Sequence, residues 1–437
     1  MAWSATVVIG DEVPGDDSLR LKPGVNFVTG EKEFKSRFKM PTSLKVDLLV
    51  VASAIFAADL AFKRGERSNF QRQIRLTIPV VNRPAFQHVA DDFRTALWRV
   101  SNDAWTLNFV QRQGAPETSR MWLREGEGKV LLFSGGLDSM AAAVLYGEAG
   151  EQVHLASHVT ANPVIRTAQR SVFGYLNDRF TGQFSHRPFR ISCADRTNLG
   201  FPFPKDSERE ATQRTRSVLF LALAALVARR NGVEDIVVIA ENGQMAIHLP
   251  LTTARIGAFS THTAHPEFVQ MMRDLFSTLL DYPIRIENPF LYRTKAEVVA
   301  ATVERHREVV ESTVSCWKAS RVVGDKSHCG YCVPCLSRRI ALETHGLELP
   351  EYRRDLMREE MASLSIEDEG KRNLVEMIEF ATTFGSSRSQ ADLESEYPDL
   401  LLGEEIDATA VVEMYRRFGR EALDVFDRYP SVKAIMG

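Results

Sequence analysis

The sequence has no excess of positive charge. Its 437 residues carry 54 lysines and arginines against 57 aspartates and glutamates, which gives a formal net charge of -3. Such a balance provides no long-range attraction for nucleic acid or anionic membranes, and no basic stripe with interleaved aromatic residues occurs in the sequence. We therefore expect no direct binding to nucleic acid.

The sequence also lacks an apolar run long enough to cross a membrane. Its most apolar stretch covers residues 48–62 and is interrupted by Asp59, whereas a spanning helix needs roughly 20 apolar residues. This stretch predicts a buried helix and no membrane association. The first five residues lack the charged and apolar segments of a secretion signal, so a cytoplasmic location is expected.

Disulfides are uncommon in the cytoplasm, so the five cysteines need another explanation. Cys316 is followed by Cys329, Cys332 and Cys335 at Cys-x-x-Cys-x-x-Cys spacing. Four thiolates predict a tetrahedral zinc site with no open position, hence a structural one. An iron–sulfur cluster is the alternative, because closely spaced cysteines also bind such clusters. Cys193, at the end of a predicted strand, is expected to be a small buried apolar residue.

The chain divides into three predicted parts. Residues 1–125 form a small N-terminal α+β domain without recognisable chemistry, with helices over residues 46–63 and 85–100 and strands over 73–81 and 105–110. Residues 126–346 form a middle domain with predicted strands over 130–133, 153–159, 189–193, 236–240 and 284–286. Apolar strands that alternate with helical patterns indicate an α/β fold with a doubly wound parallel sheet. Residues 347–437 are predicted to be helical.

Two capping boxes predict helix starts in the middle domain. One is Ser207-x-x-Glu210, which precedes a long apolar run, and the other is Thr294-x-x-Glu297. In such a box the two side chains accept hydrogen bonds from each other's backbone N–H groups.

A glycine-rich loop follows the first predicted strand of the middle domain. Its residues are Ser134, Gly135, Gly136, Leu137, Asp138 and Ser139. Two glycines let the backbone approach a phosphate closely, and the N–H groups of the following helix point towards it. The loop has no Gly-Lys-Ser/Thr and is therefore not a Walker loop. The plainer interpretation is a strand-to-helix turn capped by Asp138 or Ser139.

This loop resembles the PP-loop of ATP pyrophosphatases. The resemblance implies an adenine nucleotide α-hydrolase-like fold in which residues 134–139 grip the β- and γ-phosphates of ATP. A substrate oxygen then attacks the α-phosphate, AMP is joined to the substrate and pyrophosphate leaves. Asp138 is implied to help to hold Mg²⁺, since a carboxylate suits a hard cation.

Together with the cysteine cluster, the loop resembles the QueC family of 7-cyano-7-deazaguanine synthases. The family's arginine after the cysteines corresponds to Arg338, and Arg216 matches the arginine that opens a long helix. The family's threonine-lysine-x-glutamate corresponds to the segment that contains Lys295. The resemblance implies that Asp138, Arg216 and Lys295 are catalytic, and that ATP and a 7-deazapurine carboxylate are the ligands. For Lys295 and Arg338 the plainer interpretation is a solvated surface charge.

Some segments depart from the family. Residues 255–268 lack its aspartate-cysteine-arginine, Ser217 replaces an asparagine after Arg216, and Glu241-Asn242-Gly243 replaces its usual loop. The altered segments are expected at the pocket mouth, where they would change the substrate or the acceptor. His248, His262 and His265 have no recognised ligand spacing, and we expect them to line the pocket or to form hydrogen bonds rather than to bind metal.

The added N-terminal domain and the segment that ends in STHTAHPEF resemble QueC-like proteins of Qat-type anti-phage systems. That resemblance implies a carbon–nitrogen ligase that adenylates a deazapurine carboxylate and joins it to an amine, with partner proteins encoded in a defence operon. One alternative is a nitrile-forming synthase that uses ammonia. Another is a non-catalytic module that senses nucleotide.

Overall fold

The computed structural model describes residues 2–8, 18–31, 34–35, 43–65, 71–114, 128–231, 237–249, 251, 263–303, 305–385, 389–398 and 406–436. Its N-terminal part contains a parallel sheet with the strand order β2-β1-β4-β5. These strands are β1 (Ala2–Val7), β2 (Leu19–Leu21), β4 (Gln73–Val80) and β5 (Ala104–Gln111), and β3 (Phe27–Val28) lies outside the sheet. The helices are α1 (Ser43–Ala61), α2 (Arg83–His88) and α3 (Ala90–Ser101).

The predicted elements of this part are confirmed, with two differences. The helix predicted over residues 85–100 is interrupted at Val89, which ends α2 and precedes α3. Strands β1 and β2 were not predicted from the sequence. They are short, and β2 has only one fully buried residue, Leu21, so the apolar run that identifies a buried strand is missing.

Helix α1 is buried on all sides and mostly apolar, with Asp47 and Asp59 as its buried charged residues. Every residue from 46 to 61 is buried, and a helix without a polar face needs partners around it. It packs on β4 and on α6 (Arg216–Asn231) of the middle part, and all three contribute to one hydrophobic cluster. The predicted buried helix is confirmed, while the division of the chain at residue 125 stays a prediction. Within the described residues, no helix is long and apolar enough to cross a membrane.

The middle part is built on a second parallel sheet, with the order β11-β10-β6-β7-β8. Its strands are β6 (Lys129–Leu132), β7 (Val153–His158), β8 (Phe184–Phe189), β10 (Val237–Val238) and β11 (Ile286–Glu287). Its helices are α4 (Leu137–Glu148), α5 (Pro163–Arg179), α6, α7 (Gly243–Ile247), α8 (Pro266–Leu280), α9 (Lys295–Val303), α10 (Arg307–Val310) and α11 (Val333–Thr344). The predicted α/β fold is confirmed.

Helices cover both faces of this sheet. Successive side chains of a strand point to opposite faces, and Val130 lies in the cluster that contains α6, whereas Leu131 lies in the cluster that contains α4. In β7, Ala156 lies in the cluster that contains α6, and Leu155 lies in the cluster that contains α4. Burial on both faces explains why these strands have continuous apolar sequences.

The strand order reverses beside β6. The chain runs from β6 to β7 and β8 on one side, then returns to pair β10 with the other side of β6. In open parallel sheets, ligands bind at the carboxyl ends of the strands where the order reverses. The fold thus indicates the gap between β6 and β10 as the place for a site.

The strand predicted over residues 189–193 is wrong. The structure instead has the edge strand β8, which ends at Phe189, and the short strand β9 (Ser192–Cys193), which pairs antiparallel with β3. Ser185, His186 and Arg187 of β8 are only partly buried, so this edge strand lacks the apolar run of a central strand. Cys193 is a partly buried free cysteine that packs against the hydrophobic cluster.

One of the two capping boxes is confirmed. The Thr294 N–H donates to Glu297 Oε2 at 2.8 Å, and the Glu297 N–H donates to Thr294 Oγ1 at 3.1 Å, at the start of α9. The box predicted at Ser207 and Glu210 is wrong, because α6 begins only at Arg216. The Glu210 carboxylate instead accepts hydrogen bonds from other loop residues.

The part after residue 347 is helical, as predicted. It contains α12 (Glu369–Gly385), α13 (Gln390–Glu396), α14 (Ala408–Phe426) and α15 (Pro430–Lys433). Helices α12 and α14 pack together around Phe380, Phe384 and Tyr415, whose ring centroids lie 4.7–5.4 Å apart. The Tyr415 hydroxyl accepts a hydrogen bond from the N–H of Leu249, just after α7. The helical part therefore packs beside the carboxyl end of β10.

A buried arginine joins two buried carboxylates in the N-terminal part. Arg72 Nη2 lies 2.5 Å from Asp59 Oδ1 and 2.6 Å from Asp103 Oδ2. Arg72 is 4% exposed, and both aspartates are fully buried. Asp103 also pairs with Arg64, at 2.7 Å, whereas Asp59 pairs only with Arg72 among the described residues. An unpaired charge in such a place would be strongly destabilising, so Arg72 is needed once Asp59 is there.

Replacing Arg72 by methionine should therefore reduce the free energy of unfolding by about 3–5 kcal/mol, because both carboxylates lose their common cation. Arg94→Met is the matched control, since its partner Asp91 and Arg94 itself are exposed, and it should change stability little. Urea denaturation measures both variants. Equal effects of the two replacements would contradict the importance of the Arg72 pairs.

Candidate functional site

The glycine-rich loop lies where the strand order reverses. It directly follows β6, and residues Glu241 and Asn242 follow β10 on one side of it. On the other side, Leu132 pairs with Ala156 of β7, which places the end of β7, His158, next to the loop. The carboxyl ends of three neighbouring strands thus deliver polar side chains to one place.

Both glycines of the loop have a structural reason. Gly135 has a φ of +78°, a conformation that favours glycine. A Cβ atom at this position would lie 2.9 Å from the backbone nitrogen of Gln169. Gly136 is the N-cap of α4, so the first N–H groups of this helix have no partner within the helix. The loop therefore has the shape and the free donors of an anion site.

Hydrogen bonds inside the loop hold its two serines. Ser134 Oγ accepts from the Gly136 N–H at 3.1 Å, and Ser139 Oγ donates to the Gly136 carbonyl at 3.1 Å. The two hydroxyl oxygens lie 3.2 Å apart. Leu137 is 1% exposed and packs into the core beside β6, so it offers a ligand its backbone only.

Asp138 is the buried centre of the polar cluster. Its Oδ1 accepts a hydrogen bond from Lys295 Nζ at 2.6 Å, and its Oδ2 accepts from Asn242 Nδ2, also at 2.6 Å. Burial pushes the pKa of Asp138 upwards, but the Lys295 ammonium and the Asn242 donors outweigh burial and leave the pKa below its usual value. Asp138 is therefore an anion at neutral pH.

Glu241 is the second carboxyl group of this cluster. Asn242 Nδ2 also points to Glu241 Oε1, at 3.5 Å. Burial and the negative charge of Asp138 raise the pKa of Glu241 to about 8, although Lys295 acts in the opposite direction. Two carboxyl groups that face each other beside a phosphate-type loop are a suitable donor set for a hard divalent cation.

The interpretation of Lys295 as a solvated surface charge is wrong. Lys295 is the first residue of α9 and is 7% exposed, with its ammonium group held against Asp138. The capping box of Thr294 and Glu297 fixes the start of α9 and so directs Lys295 towards the loop. The capping box that predicted the helix start therefore also positions the site residue Lys295.

The same interpretation is wrong for Arg338. It lies in α11, is 1% exposed, and donates to the Val310 carbonyl and to the Thr313 hydroxyl. The N–H of the next residue, Val314, donates to the Gly135 carbonyl at 3.1 Å. Arg338 thus holds the segment that supports the loop from behind.

Arg216 begins α6 and has no ion-pair or hydrogen-bond partner for its guanidinium group among the described residues. The group lies over the ring of Phe220, 4.9 Å from its centroid. Burial alone lowers the pKa of Arg216 to about 10, so the side chain remains a cation at neutral pH. Arg216 is partly buried, and a partly buried cation without a carboxylate partner is typical of a residue that binds an anionic ligand.

The structure brings the four predicted cysteines together. The sulfur atoms of Cys316, Cys329, Cys332 and Cys335 all lie within 4.8 Å of one another, and all four residues are buried. Two of the sulfur–sulfur distances are 3.9 Å, close to the roughly 3.8 Å that four thiolates around one zinc ion require. The four residues are free cysteines. This arrangement fits a single tetrahedral ion.

The backbone around the cysteines also fits a metal site. Cys316 Sγ accepts hydrogen bonds from the N–H groups of Lys318 and Cys329, at 3.3 and 3.4 Å. Gly330 has a φ of +89°, and a Cβ there would lie 1.9 Å from the Arg354 carbonyl oxygen. Only glycine allows this tight turn between the second and third cysteines.

Of the three histidines that were expected to line the pocket or to form hydrogen bonds, His265 has a structural role. It is fully buried and caps α8, since its Nδ1 accepts from the Glu267 N–H. His248 ends α7, and burial lowers its pKa to about 4. His262 and residues 255–261 of the altered segment lie outside the described residues. Among the described residues, the cysteine cluster is the only group of three or more His, Cys, Asp or Glu side chains placed to bind one metal ion.

Sequence reasoning assigned no role to three residues of the site. Glu241 and Asn242 were noted only as a departure from the family, although their position after β10 was a signal. His158 was not considered at all. It is the last residue of a buried strand beside the loop, a position that could have identified it.

We expect the purified protein to contain about one zinc ion per chain. Cys332→Ser should remove the zinc and lower the yield of folded protein, because metal binding contributes to folding free energy. Cys193→Ser, outside the cluster, should keep the zinc. Elemental analysis by mass spectrometry gives the metal content. An iron–sulfur absorbance, or equal zinc in both variants, would contradict the assignment.

Comparison with known proteins supports the resemblance. Residues 203–346 match the family "Queuosine biosynthesis protein QueC". This region contains Arg216, Lys295 and the four cysteines and begins after the glycine-rich loop.

The chain is 28% identical to the 7-cyano-7-deazaguanine synthase of Sulfolobus acidocaldarius, over 51% of this chain and 47% of that protein. It is 27% identical to the 7-cyano-7-deazaguanine synthase of Chelativorans sp., over 34% of this chain and 56% of that protein. It is 28% identical to 7-cyano-7-deazaguanine synthase 1 of Mesorhizobium japonicum, over 34% of this chain and 56% of that protein. The chain thus spans about half the length of these curated relatives, and within that span it is similar to QueC proteins.

Proposed function

We propose that this protein is an ATP pyrophosphatase that activates a 7-deazapurine carboxylate as an adenylate and joins it to an amine. The observation that carries the proposal is the cluster of Asp138, Lys295 and Asn242 beside the loop of Ser134 to Ser139, at the reversal of strand order. The similarity to 7-cyano-7-deazaguanine synthases supports the choice of a deazapurine.

The proposed reaction has two steps. A carboxylate oxygen of the substrate attacks the α-phosphorus of ATP, the bond between the α-phosphorus and its bridging oxygen breaks, and pyrophosphate leaves. The amine nitrogen then attacks the carbonyl carbon of the adenylate, loses a proton, and releases AMP. Such reactions depend chiefly on positioning and on electrostatic stabilisation of the developing charge.

The residues of the cluster have distinct parts in this proposal. The loop backbone and the hydroxyls of Ser134 and Ser139 bind the β- and γ-phosphates. Lys295 places a positive charge beside them, while Asp138, itself held by Asn242, keeps its ammonium in position. Asp138 and Glu241 would hold Mg²⁺, which neutralises phosphate charge when bound. The four-cysteine zinc site has no open position and is structural in this scheme.

Ser134→Ala and Asp138→Ala should each reduce pyrophosphate release by on the order of a hundredfold or more, because each removes a group that holds charge near the transferring phosphorus. Asp274→Ala is the matched control, since Asp274 is exposed and pairs only with its neighbour Arg273 among the described residues. An enzyme-coupled pyrophosphate assay measures all three. Wild-type release by either loop variant would refute the assignment of the loop.

We further propose that the amine belongs to a partner protein, at its N-terminus or at a lysine, in an anti-phage defence system. The segment of residues 255–268 lacks the family's usual residues. The loop between Cys316 and Cys329 exposes Trp317, Val322 and Val323 by 56–65%, and its Ala319 carbonyl accepts a hydrogen bond from Asn162, just after β7. An apolar surface next to the strand ends would help to hold a protein tail over the adenylate.

Incubation with ATP, Mg²⁺, 7-carboxy-7-deazaguanine and the products of the neighbouring genes should give a deazaguanine adduct on one of those proteins. Intact-mass spectrometry detects it, and the same mixture without ATP is the control. The relatives' name favours the second candidate, a nitrile-forming synthase that uses ammonia. Efficient nitrile formation without any adduct would select that candidate, and binding of ATP without turnover would select a nucleotide sensor.

A further inference from the structure

A second polar site lies beside the glycine-rich loop, on the side of β7. His158 ends β7, is 7% exposed, and its Nε2 lies 2.8 Å from the Ile191 carbonyl oxygen. A carbonyl oxygen only accepts hydrogen bonds, so Nε2 carries the proton and Nδ1 is an acceptor. Among the described residues, this buried Nδ1 has no hydrogen-bond partner. A buried acceptor of this kind calls for a donor from a ligand or from water.

The unpaired guanidinium of Arg216 belongs to the same site. Phe220 connects the two residues, since its ring lies under Arg216 and 5.9 Å from the ring of His158. Burial and the positive charge of Arg216 together lower the pKa of His158 to about 4, so the histidine is neutral. The site thus offers a cation and an uncharged acceptor, close together and mostly shielded from water.

This site is directly linked to the glycine-rich loop. The side-chain amide of Gln169 lies 3.3 Å from the Phe133 carbonyl, at the start of the loop, and 3.5 Å from the His158 carbonyl. Helix α6 leads back towards β10, so its first residue, Arg216, lies at the carboxyl ends of the strands. A ligand bound by Arg216 and His158 would lie next to phosphates held by the loop.

Helix α1 of the N-terminal part forms a wall of this site. The ring of Phe56 lies 5.8 Å from the ring of His158. Three residues further along α1, Asp59 Oδ2 accepts hydrogen bonds from the N–H and the hydroxyl of Thr215, both at 2.9 Å. Thr215 directly precedes Arg216, so Asp59 fixes the residue from which α6 starts.

We propose that Arg216 and His158 form the binding site for the carboxylate substrate, that α1 completes it, and that Asp59 positions Arg216. The ligand class follows from the donors and acceptors. Arg216 selects an anion, His158 Nδ1 selects an N–H group, and the surrounding rings of Phe56 and Phe220 favour a flat ring system.

A heteroaromatic carboxylate with a ring N–H offers all three features. The adenine of ATP has N–H groups but no anion beside them, and phosphate has charge but no N–H. The inference rests on the proposed function for the identity of the substrate as a deazapurine. It goes further in assigning a role to the N-terminal part, as a component of the substrate site.

Equilibrium binding without turnover tests the site. The probes are 7-carboxy-7-deazaguanine, its uncharged carboxamide, indole-3-carboxylate and α,β-methylene-ATP, each titrated calorimetrically. Arg216→Met should weaken binding of both carboxylates by about tenfold to a hundredfold, the usual effect of losing a charged hydrogen bond. It should leave the carboxamide and the ATP analogue within about twofold. Arg216→Lys should recover part of the loss, because it restores the charge without the planar fork.

His158→Phe should weaken the carboxylate and the carboxamide alike, because both carry the N–H groups that Nδ1 accepts. Weaker binding of the ATP analogue by Arg216→Met, with unchanged carboxylate binding, would assign the site to nucleotide and overturn the proposal. So would a wild-type protein that binds neither carboxylate better than the carboxamide.

Asp59→Asn tests the positioning role, with Asp47→Asn as its matched control. Both aspartates are buried in α1, but Asp47 accepts hydrogen bonds from the N–H groups of Val81 and Asn82, away from α6. Asp59→Asn should reduce the preference for carboxylate over carboxamide, and Asp47→Asn should not. A merely structural effect would lower both affinities together, so an unchanged preference in both variants would refute this role.

The outcomes also separate this proposal from the proposed function. Carboxylate binding that depends on Arg216, without AMP formation, would leave the site standing and remove the proposed reaction. AMP formation by the wild type, with carboxylate binding that is unaffected in Arg216→Met, would support the proposed reaction and refute the proposed site. Binding of indole-3-carboxylate but not of the deazaguanine would keep the site and change the substrate.

Discussion

One buried carboxylate connects the two sheets of this protein. Asp59 lies in the N-terminal part, pairs with Arg72 there, and accepts two hydrogen bonds from Thr215, directly before the helix that begins with Arg216 in the middle part. Its full burial makes both sets of contacts obligatory, because an uncompensated charge in such a place is strongly destabilising. The relation between the N-terminal sheet and the strand ends of the middle sheet is therefore held by charge as well as by apolar packing.

The cations near the glycine-rich loop differ in how they are compensated. Lys295 is paired with Asp138, and Arg338 is held by neutral oxygens of the segment behind the loop. Arg216 lacks such partners within the described part of the chain. Since a folded protein normally satisfies its buried charges, a cation without a partner distinguishes a ligand-binding residue from a structural one. Residue identity alone would not have separated these three.

Much of this arrangement could be predicted from the sequence, and the failures have physical causes. The central strands, the loop and the cysteine cluster depend on local patterns, such as apolar runs, paired glycines and fixed spacing. The prediction of the edge strand β8 failed because several of its side chains are half exposed and polar. The prediction of the start of α6 failed because the residue before this helix, Thr215, is held by Asp59, far away in the sequence. His158 was missed because its surroundings come from α1 and α6, which only the folded chain brings together.

The burial of the mostly apolar helix α1 also has a consequence for synthesis on the ribosome. Translation is vectorial, and α1 emerges on the order of 150 residues before α6, the helix against which it packs. During that interval the nascent chain exposes an apolar surface that its own sheet cannot cover entirely. Correct folding therefore requires that the nascent chain aggregates slowly, or that a chaperone covers this surface, until the second half of the core has been translated.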